Sequence, residues 1–585
     1  MCGIAGIMRR DGHAPDEALL NRLRDALLHR GPDGDGRYVK DGTGLIQTRL
    51  AIIDLKTGDQ PLYGPNSSAL VANGEIYNYV ELWRDLDGVA FATQSDCEPP
   101  LHLYQRNGLA YPDRLRGMYA IALHDPAANR LLLSRDPFGI KPLYYTESES
   151  GFAFASEPQA LIKAGLVKAE IRPEARTELL QLQFTTGRET IFSGIQRLLP
   201  GETLALSQGR IVERRRRAAL PEGGPRIWTE AEALQRIGDS LTDSVTVHQR
   251  ADVPYGMFLS GGIDSSVLLA LMARLNDRPV RAFTVGFTGT GVHDERAHAA
   301  ALCRTVGAEH ISVEFGEADF WATLPQVAAA MDDPVADYAI LPTWKLAREA
   351  AKELKVVLCG EGGDELFAGY GRYRSALRPW WRGGRVMRPR GIMDKLGVLR
   401  DAPRGWRDGI AASEAVANLP GRTRLQVAQA VDCTDWLPND LLTKVDRCLM
   451  AHGLEGRTPF LDPVVADIAF RLDDGQKIAK GLGKYLLRKW LERALPQAQP
   501  FSSKRGFTVP VGEWIAARGA TLGPLVARQP GIAEIVRPGA AEALFRDGGK
   551  RQGLAAWTLL FYALWHRHHI LGRPAAGDVF SALEA

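Results

Sequence analysis

VPYGMFLS (253–260) runs directly into GGIDSSVLLALMARL (261–275), and this junction decides the fold of the larger part of the chain. An apolar stretch of strand length meets a glycine pair, and a helix-length apolar run follows. Strand, tight turn and helix are the repeating unit of a parallel α/β sheet. The glycines let backbone N–H groups face an anion, and the helix amino terminus adds partial positive charge there. The pattern lacks Gly-Lys-Ser/Thr, so it is not a Walker A loop. Moving outward, VRAFTVGF (280–287) and ELKVVLCG (353–360) read as two more strands, the second followed by a glycine-rich turn. EALQRIGDSLTDSVTVHQR (232–250) has helical spacing, as does most of the chain after 395, with an amphipathic segment at 430–452. LAAWTLLFYALW (554–565) is too short to span a bilayer and reads as a buried helix; His566, His568 and His569 after it read as a solvated helix end.

Before residue 205 the pattern is different. GLIQTRLAIIDL (44–55), SALVANGEIYN (68–78), GMYAIALHD (117–125) and RLLLSRD (130–136) are strand-length runs, separated by turns such as GPDGDG (31–36) and DPFG (136–139). Many strands with few intervening helices predict antiparallel sheets stacked face to face. LSQGRIVERRRRAALPEGGP (206–225) is polar, basic and rich in Gly and Pro, so a linker is expected over 206–229, with the arginines solvated. The expected division is therefore 2–205, a linker at 206–229, and 230–585.

Seventy-two Lys+Arg against 69 Asp+Glu leave a net charge of +3, which gives no support to a nucleic-acid or membrane-surface role. Six cysteines (2, 97, 303, 359, 433 and 448) include no CxxC pair, so neither a zinc ribbon nor a disulfide framework is expected, and the composition fits a reducing cytoplasm. MCGIAGIMRRDG has neither the basic nor the long apolar region of a signal peptide.

Cys2 follows the initiator methionine. Removal of Met1 would put a free α-amino group, a base near neutrality, on the same residue as a thiol nucleophile. Downstream come HRGPDGDG (29–36), TRLAIID (48–54), NGEIYN (73–78) and SDCE (95–98). Singly these have ordinary readings: Arg49 as a sheet-surface charge, Asn73-Gly74 as a hairpin turn. In this order they resemble the glutaminase domain of class II glutamine amidotransferases. The resemblance implies that Cys2 attacks the glutamine amide and that Arg49 pairs with the substrate α-carboxylate. It also implies that Asp96 holds the α-ammonium, Asn73 and Gly74 form the oxyanion hole, and Glu75 contacts the amide or amine. Pro99 and Pro100 depart from the family pattern, although proline is tolerated in a first helical turn.

LSGGIDSS (259–266) resembles the pyrophosphate loop of ATP pyrophosphatases, which cleave ATP between its α and β phosphates. The resemblance implies ATP contacts from Leu259, Ser260, Gly261, Gly262, Asp264, Ser265, Ser266, Val285, Cys359 and Gly360. From CGEGGDELFAGY (359–370) it implies that Asp364 joins Asp264 in holding Mg²⁺, and that Glu361 is the base toward ammonia. Lys484, in KGLGKYLLRKW (480–490), would stabilise charge on phosphate in the transition state. Lys444, Asp446 and Arg447 open the segment KVDRCLMAHGLEGRTPFLD and carry no assigned role; nor does the Arg/Trp-rich loop 378–390.

The two sites in this order resemble the glutamine-dependent asparagine synthetase family. The implied fold is an amino-terminal-nucleophile (Ntn) αββα sandwich followed by a parallel α/β ATP-pyrophosphatase domain, adenine-nucleotide α-hydrolase-like, with a helical extension. The implied substrates are glutamine, aspartate and ATP, with ammonia passing through an internal tunnel; a homodimer is compatible. The same machinery would also serve a relative that amidates another carboxylate on a sugar, peptide or secondary metabolite. The difference would lie in 331–343 and in the loops after Gly369.

Overall fold

The computed structural model describes residues 2–287, 294–382, 386–502 and 509–584. Two six-stranded antiparallel sheets come first. One runs, in spatial order, Gln196–Arg197, Tyr144–Glu147, Gly151–Ala155, Gly3–Arg9, Thr43–Arg49, Gly34–Lys40. The other runs Arg210–Arg216, Glu202–Ser207, Arg130–Arg135, Gly117–Asp125, Ala69–Ile76, Leu62–Tyr63. The strand period of two sets the layering. Ile4, Met8, Val71, Leu131 and Leu133 fill the space between the sheets. The alternate residues face outward: Ala5 and Ile7 join the core shared with Leu20 and Leu23 of the helix Glu17–Asp25. Leu70, Ala72 and Leu132 pack with Leu101 and Leu103 of the helix Pro99–Asn107. Helix, sheet, sheet, helix is the expected sandwich. Pro99 and Pro100 lie in the first turn of their helix, where the missing N–H costs no hydrogen bond.

The second sandwich sheet extends into the range read as linker. Arg210–Arg216 is its edge strand, and irregular chain spans 217–229 before the helix Glu230–His248, capped by Thr229. The arginines lie at the surface, as expected, and are also paired within their own unit. Arg214 pairs with Glu202 at 3.2 Å, Arg215 with Asp113, and Arg217 donates to Pro112 O at 2.9 Å. Charged side chains also guard an edge strand against unwanted pairing.

The third sheet is parallel throughout: Glu309–Phe315, Arg281–Phe287, Tyr255–Phe258, Val356–Leu358, Glu455–Arg457. Tyr255–Phe258 comes first in sequence but lies at the centre, so the chain order reverses between it and Val356–Leu358. Ligands of open α/β sheets bind at such a reversal, outside the carboxyl ends of the strands. The loops 259–262 and 359–362 leave these two neighbouring strands and meet there.

The run 554–565 lies inside the buried helix Lys550–His569, as expected. Its end is not solvated: His566 and His569 are buried, and His569 sits between Gln159 (3.0 Å) and Ala328 O (3.2 Å). The helix docks its last turn on the sheet domain and the sandwich together, which the sequence pattern does not signal.

Candidate active sites

In the sandwich, Cys2 opens the strand Gly3–Arg9 and is buried. Its N–H donates to Asn73 Oδ1 at 3.2 Å, and Gln47 Nε2 donates to its Sγ at 2.9 Å. Burial pushes the thiol above its ordinary pKa, while the Leu50 backbone N–H pulls it down. Asn73 and Gly74 lie within the strand Ala69–Ile76 and pair with Ala120 and Tyr119, so the hairpin-turn reading does not hold. Asn73 Nδ2 is buried with no hydrogen-bond partner among the described residues. A buried donor without a partner is costly unless a ligand oxygen completes it. Gly74 is required by space: a β-carbon there would run into Met118 O and the Tyr119 backbone.

Arg49 is 8% exposed, and its fork reaches Asp54 O (2.6 Å) and Asp59 (2.5 Å). Asp96 Oδ2 accepts from Ile76 N at 2.7 Å, so it is tied to the strand carrying Asn73 and Gly74. Burial raises the Asp96 carboxyl to about 6. Glu75 is raised well above the usual carboxylate range, first by burial and then by its neighbours Glu455 and Asp96, with Arg457 opposing at 3.2 Å.

In the parallel-sheet domain, Ser260 follows the central strand and Gly261 takes φ +68°, a conformation that favours glycine. Ser265 Oγ lies 3.1 Å from Ser260 Oγ, and Ser260 Oγ accepts from Gly262 N at 3.3 Å, so the loop braces itself. Lys484 stands in the left-handed region (φ +57°) at the start of the helix Tyr485–Ala494, a strained posture typical of a functional position. From there its ammonium bridges the two carboxylates, contacting Asp264 and lying 2.7 Å from Asp364. Close packing enforces the cluster: a β-carbon on Gly363 would strike Asp264, and one on Gly369 would strike Asp364 and Lys484. Two carboxylates gathered beside an anion-binding loop can hold a divalent cation together with phosphate oxygens. Among the described residues no group of three or more His, Cys, Asp or Glu is placed to hold a metal ion.

Two connected hollows open on this cluster. The smaller, about 320 Å³, has Leu259, Val285, Leu346 and Cys359 on an apolar part of its wall, with Gly360 and Glu361 also lining it. The larger, about 510 Å³, is lined by Ser260, Gly261, Gly262, Asp264, Asp364 and Lys484 on one part of its wall. Ser266 does not join them: it is fully buried in the helix Ile263–Leu275, and its Oγ has no partner among the described residues. Glu361 is raised by burial, with Lys444 nearby opposing.

Lys444, Asp446 and Arg447 now have surroundings. Lys444 reaches Asp337 at 2.7 Å and lines both hollows. Asp446 receives two hydrogen bonds from Arg30, at 2.7 and 2.9 Å, and one from Arg447 at 2.8 Å; Arg447 also holds Asp332 at 2.7 Å. This fully buried network ties the sandwich to the parallel-sheet domain. Arg457 is a second tie. Its side chain meets Glu75, and its carbonyl accepts from Cys359 N at 2.8 Å. Gln47, Arg457 and Asp440 escaped the sequence reading; Asp337 and Arg388 lie in the segments 331–343 and 378–390 that it singled out without naming them. In the loop 378–390, positions 383–385 lie outside the described residues, and Arg388 lines the larger hollow.

Residues 236–567 match the asparagine synthase family, and residues 1–216 match the glutamine amidotransferase domain. The chain belongs to the asparagine synthase family. It is 32% identical to asparagine synthetase [glutamine-hydrolyzing] 1 of Bacillus subtilis (strain 168), with 97% of each chain covered. It is 29% identical to asparagine synthetase B [glutamine-hydrolyzing] of Escherichia coli (strain K12), over 88% of this chain and 83% of that one. Among the described residues no helix is long and apolar enough to cross a membrane.

Proposed function

We propose that this family member is a glutamine-dependent asparagine synthetase, converting ATP, aspartate, glutamine and water into asparagine, glutamate, AMP and pyrophosphate. The observation that carries the reading is the pairing, in one chain, of a buried thiol beside an orphaned amide donor with an Asp–Lys–Asp cluster beside an anion-binding loop. The names of the relatives support the same reading.

At the first site, glutamine lies with its α-carboxylate on Arg49 and its α-ammonium on Asp96. Cys2 Sγ attacks the side-chain amide, with the α-amino group exposed by loss of Met1 taking the thiol proton. Asn73 Nδ2 and Gly74 N–H receive the oxyanion. Ammonia leaves, and water hydrolyses the γ-glutamyl thioester. Gln47 holds Sγ in line, and Glu75 stays near the amide.

At the second site, adenine occupies the slot lined by Leu259 and Val285, and the phosphates lie over the loop 260–265. Asp264 and Asp364 would hold Mg²⁺, which when bound supplies charge neutralisation to the departing pyrophosphate. The aspartate β-carboxylate attacks the α-phosphate, and Lys484 stabilises the charge that builds on it. Glu361 takes a proton from ammonia as the nitrogen attacks the aspartyl-adenylate and AMP leaves. Ammonia travels inside the chain, where it is spared protonation by bulk water.

The test is a product assay with Mg-ATP, aspartate and amide-nitrogen-labelled glutamine. Matched formation of AMP, pyrophosphate and labelled asparagine is expected. Glutamate release without aspartate-dependent AMP would overturn aspartate as the acceptor.

A further inference from the structure

Among the charged groups that line the larger hollow and that the scheme above does not use, two have an open hydrogen-bonding atom. Arg388 Nη2 and Asp440 Oδ1 are both buried, and neither has a hydrogen-bond partner among the described residues. Both residues line the hollow that also exposes Asp264, Asp364 and Lys484. Among the described residues no hydrogen bond or ion pair joins Arg388 to Asp440. Buried polar atoms left open in this way carry a desolvation cost that a ligand can remove.

The surroundings hold the two groups in place. Trp436 serves both: its indole N–H donates to the other oxygen of Asp440, and its ring lies 4.9 Å from the Arg388 guanidinium carbon. Phe184, from the sandwich unit, lies 5.2 Å from the same guanidinium. The loop behind Arg388 is fixed by Gln181, whose carbonyl accepts from Ile392 N (3.1 Å) and whose Oε1 accepts from Met393 N (3.2 Å). Trp436 and Asp440 sit on a π-helical stretch, Asp432–Leu441. Such wide turns re-aim side chains and recur at functional sites. One guanidinium and one carboxyl, each with an open hydrogen-bonding position, match the carboxylate and ammonium of an α-amino acid. A sugar acid or a simple carboxylate would leave at least one of the two charges unpaired, and sites built to hydrogen-bond a group reject analogues lacking it.

We propose that Arg388 and Asp440 read the acceptor as an α-amino acid: Arg388 takes its α-carboxylate and Asp440 its α-ammonium, leaving the side-chain carboxylate to react near Lys484. This rests on the proposed synthetase function and adds the residues that set its acceptor specificity.

The test uses the full-length enzyme, with ammonium as nitrogen source so that the Cys2 site is bypassed, and follows acceptor-dependent AMP formation. Acceptors are aspartate, β-alanine (no α-carboxylate) and succinate (no α-ammonium). The unmodified enzyme is expected to prefer aspartate strongly over both. Arg388→Met should raise KM for aspartate by roughly 10- to 100-fold, the loss of one charge-assisted hydrogen bond, and abolish the preference over β-alanine alone. Asp440→Asn should abolish the preference over succinate alone, and Arg388→Lys should restore part of the aspartate KM. KM for ATP should not move. A rise in KM for ATP with acceptor preference intact would place Arg388 on the nucleotide and overturn the assignment; so would unchanged preferences in both variants. No aspartate-dependent AMP from the unmodified enzyme would overturn the synthetase reading itself, and this inference with it.

Discussion

The two sites of this chain are built in opposite ways. The Cys2 site lies on the interior of antiparallel strands. Cys2, Asn73, Glu75 and Asp96 are buried, and extended backbone fixes Asn73 and Glu75. The Lys484 site lies on loops beyond the ends of parallel strands, where a charged cluster with little room for movement faces open hollows. The first suits one small substrate held in a fixed pose. On the function proposed, the second admits a nucleotide, a cation and an acceptor, and places them against one another. Rigidity in one site and an open crevice in the other follow from where each sits on its sheet.

If the sites are chemically separate, Cys2→Ala breaks only one. Glutamine-driven synthesis should fall by roughly 10⁴-fold or more, since the covalent route is lost, while synthesis from added ammonium persists. Equal loss with both nitrogen sources, measured as asparagine formed, would contradict the separation. The converse change is Lys484→Met. Removing a charge aimed at the transition state should lower ammonium-driven AMP formation by roughly 10²- to 10³-fold and leave glutaminase turnover in place. Asparagine formation at the unmodified rate would remove Lys484 from the chemistry.

The two sites are also joined mechanically, and Arg457 is one of the ties. It is fully buried, holds Glu75 and Glu455, and braces the backbone of Cys359. Arg457→Met takes a shared buried ion-pair partner from Glu75 and Glu455, a loss of about 3–5 kcal/mol in unfolding free energy. Denaturant unfolding measures that loss. Asparagine formed per glutamine hydrolysed measures the coupling and should drop below that of the unmodified chain; an unchanged ratio would show that the tie is structural only.

The same contrast explains what the sequence disclosed. The sandwich and the parallel sheet were legible, because period-two strands and a strand–turn–helix junction are local patterns. Cys2, Asn73-Gly74 and the loop 259–266 were legible because their chemistry is concentrated in short, ordered segments. Arg210–Arg216 read as linker because an edge strand full of arginines looks like solvated chain until Glu202 and Asp113 are brought beside it. Gln47, Arg457 and Asp440 were not legible, since an isolated polar residue announces nothing until the fold supplies its neighbour; for Arg388 only its loop, 378–390, stood out. Lys444, Asp446 and Arg447 stood between these cases: their segment was visible, as was the segment 331–343 that holds Asp332 and Asp337, but the pairing of the two, and Arg30, were not.

The smallest expected effect separates the sites by pH. Burial raises the Asp96 carboxyl to about 6. A carboxylate with a raised pKa is ionised above that value and takes a proton as pH falls through it. The form that holds the glutamine α-ammonium is the ionised one. Glutamine KM should therefore be flat above pH 7 and rise on acidification, by about tenfold one unit below the transition. Asp96 accepts from Ile76 N at 2.7 Å, so protonation also loosens the strand that carries Asn73 and Gly74. Ammonium-driven synthesis does not use Asp96 and should not share this transition once the free-ammonia fraction is held constant. The measurement is glutamine KM against pH, with Asp96→Asn as control. The variant should show a high, pH-independent KM, and an unmodified profile in that variant would assign the transition to another group.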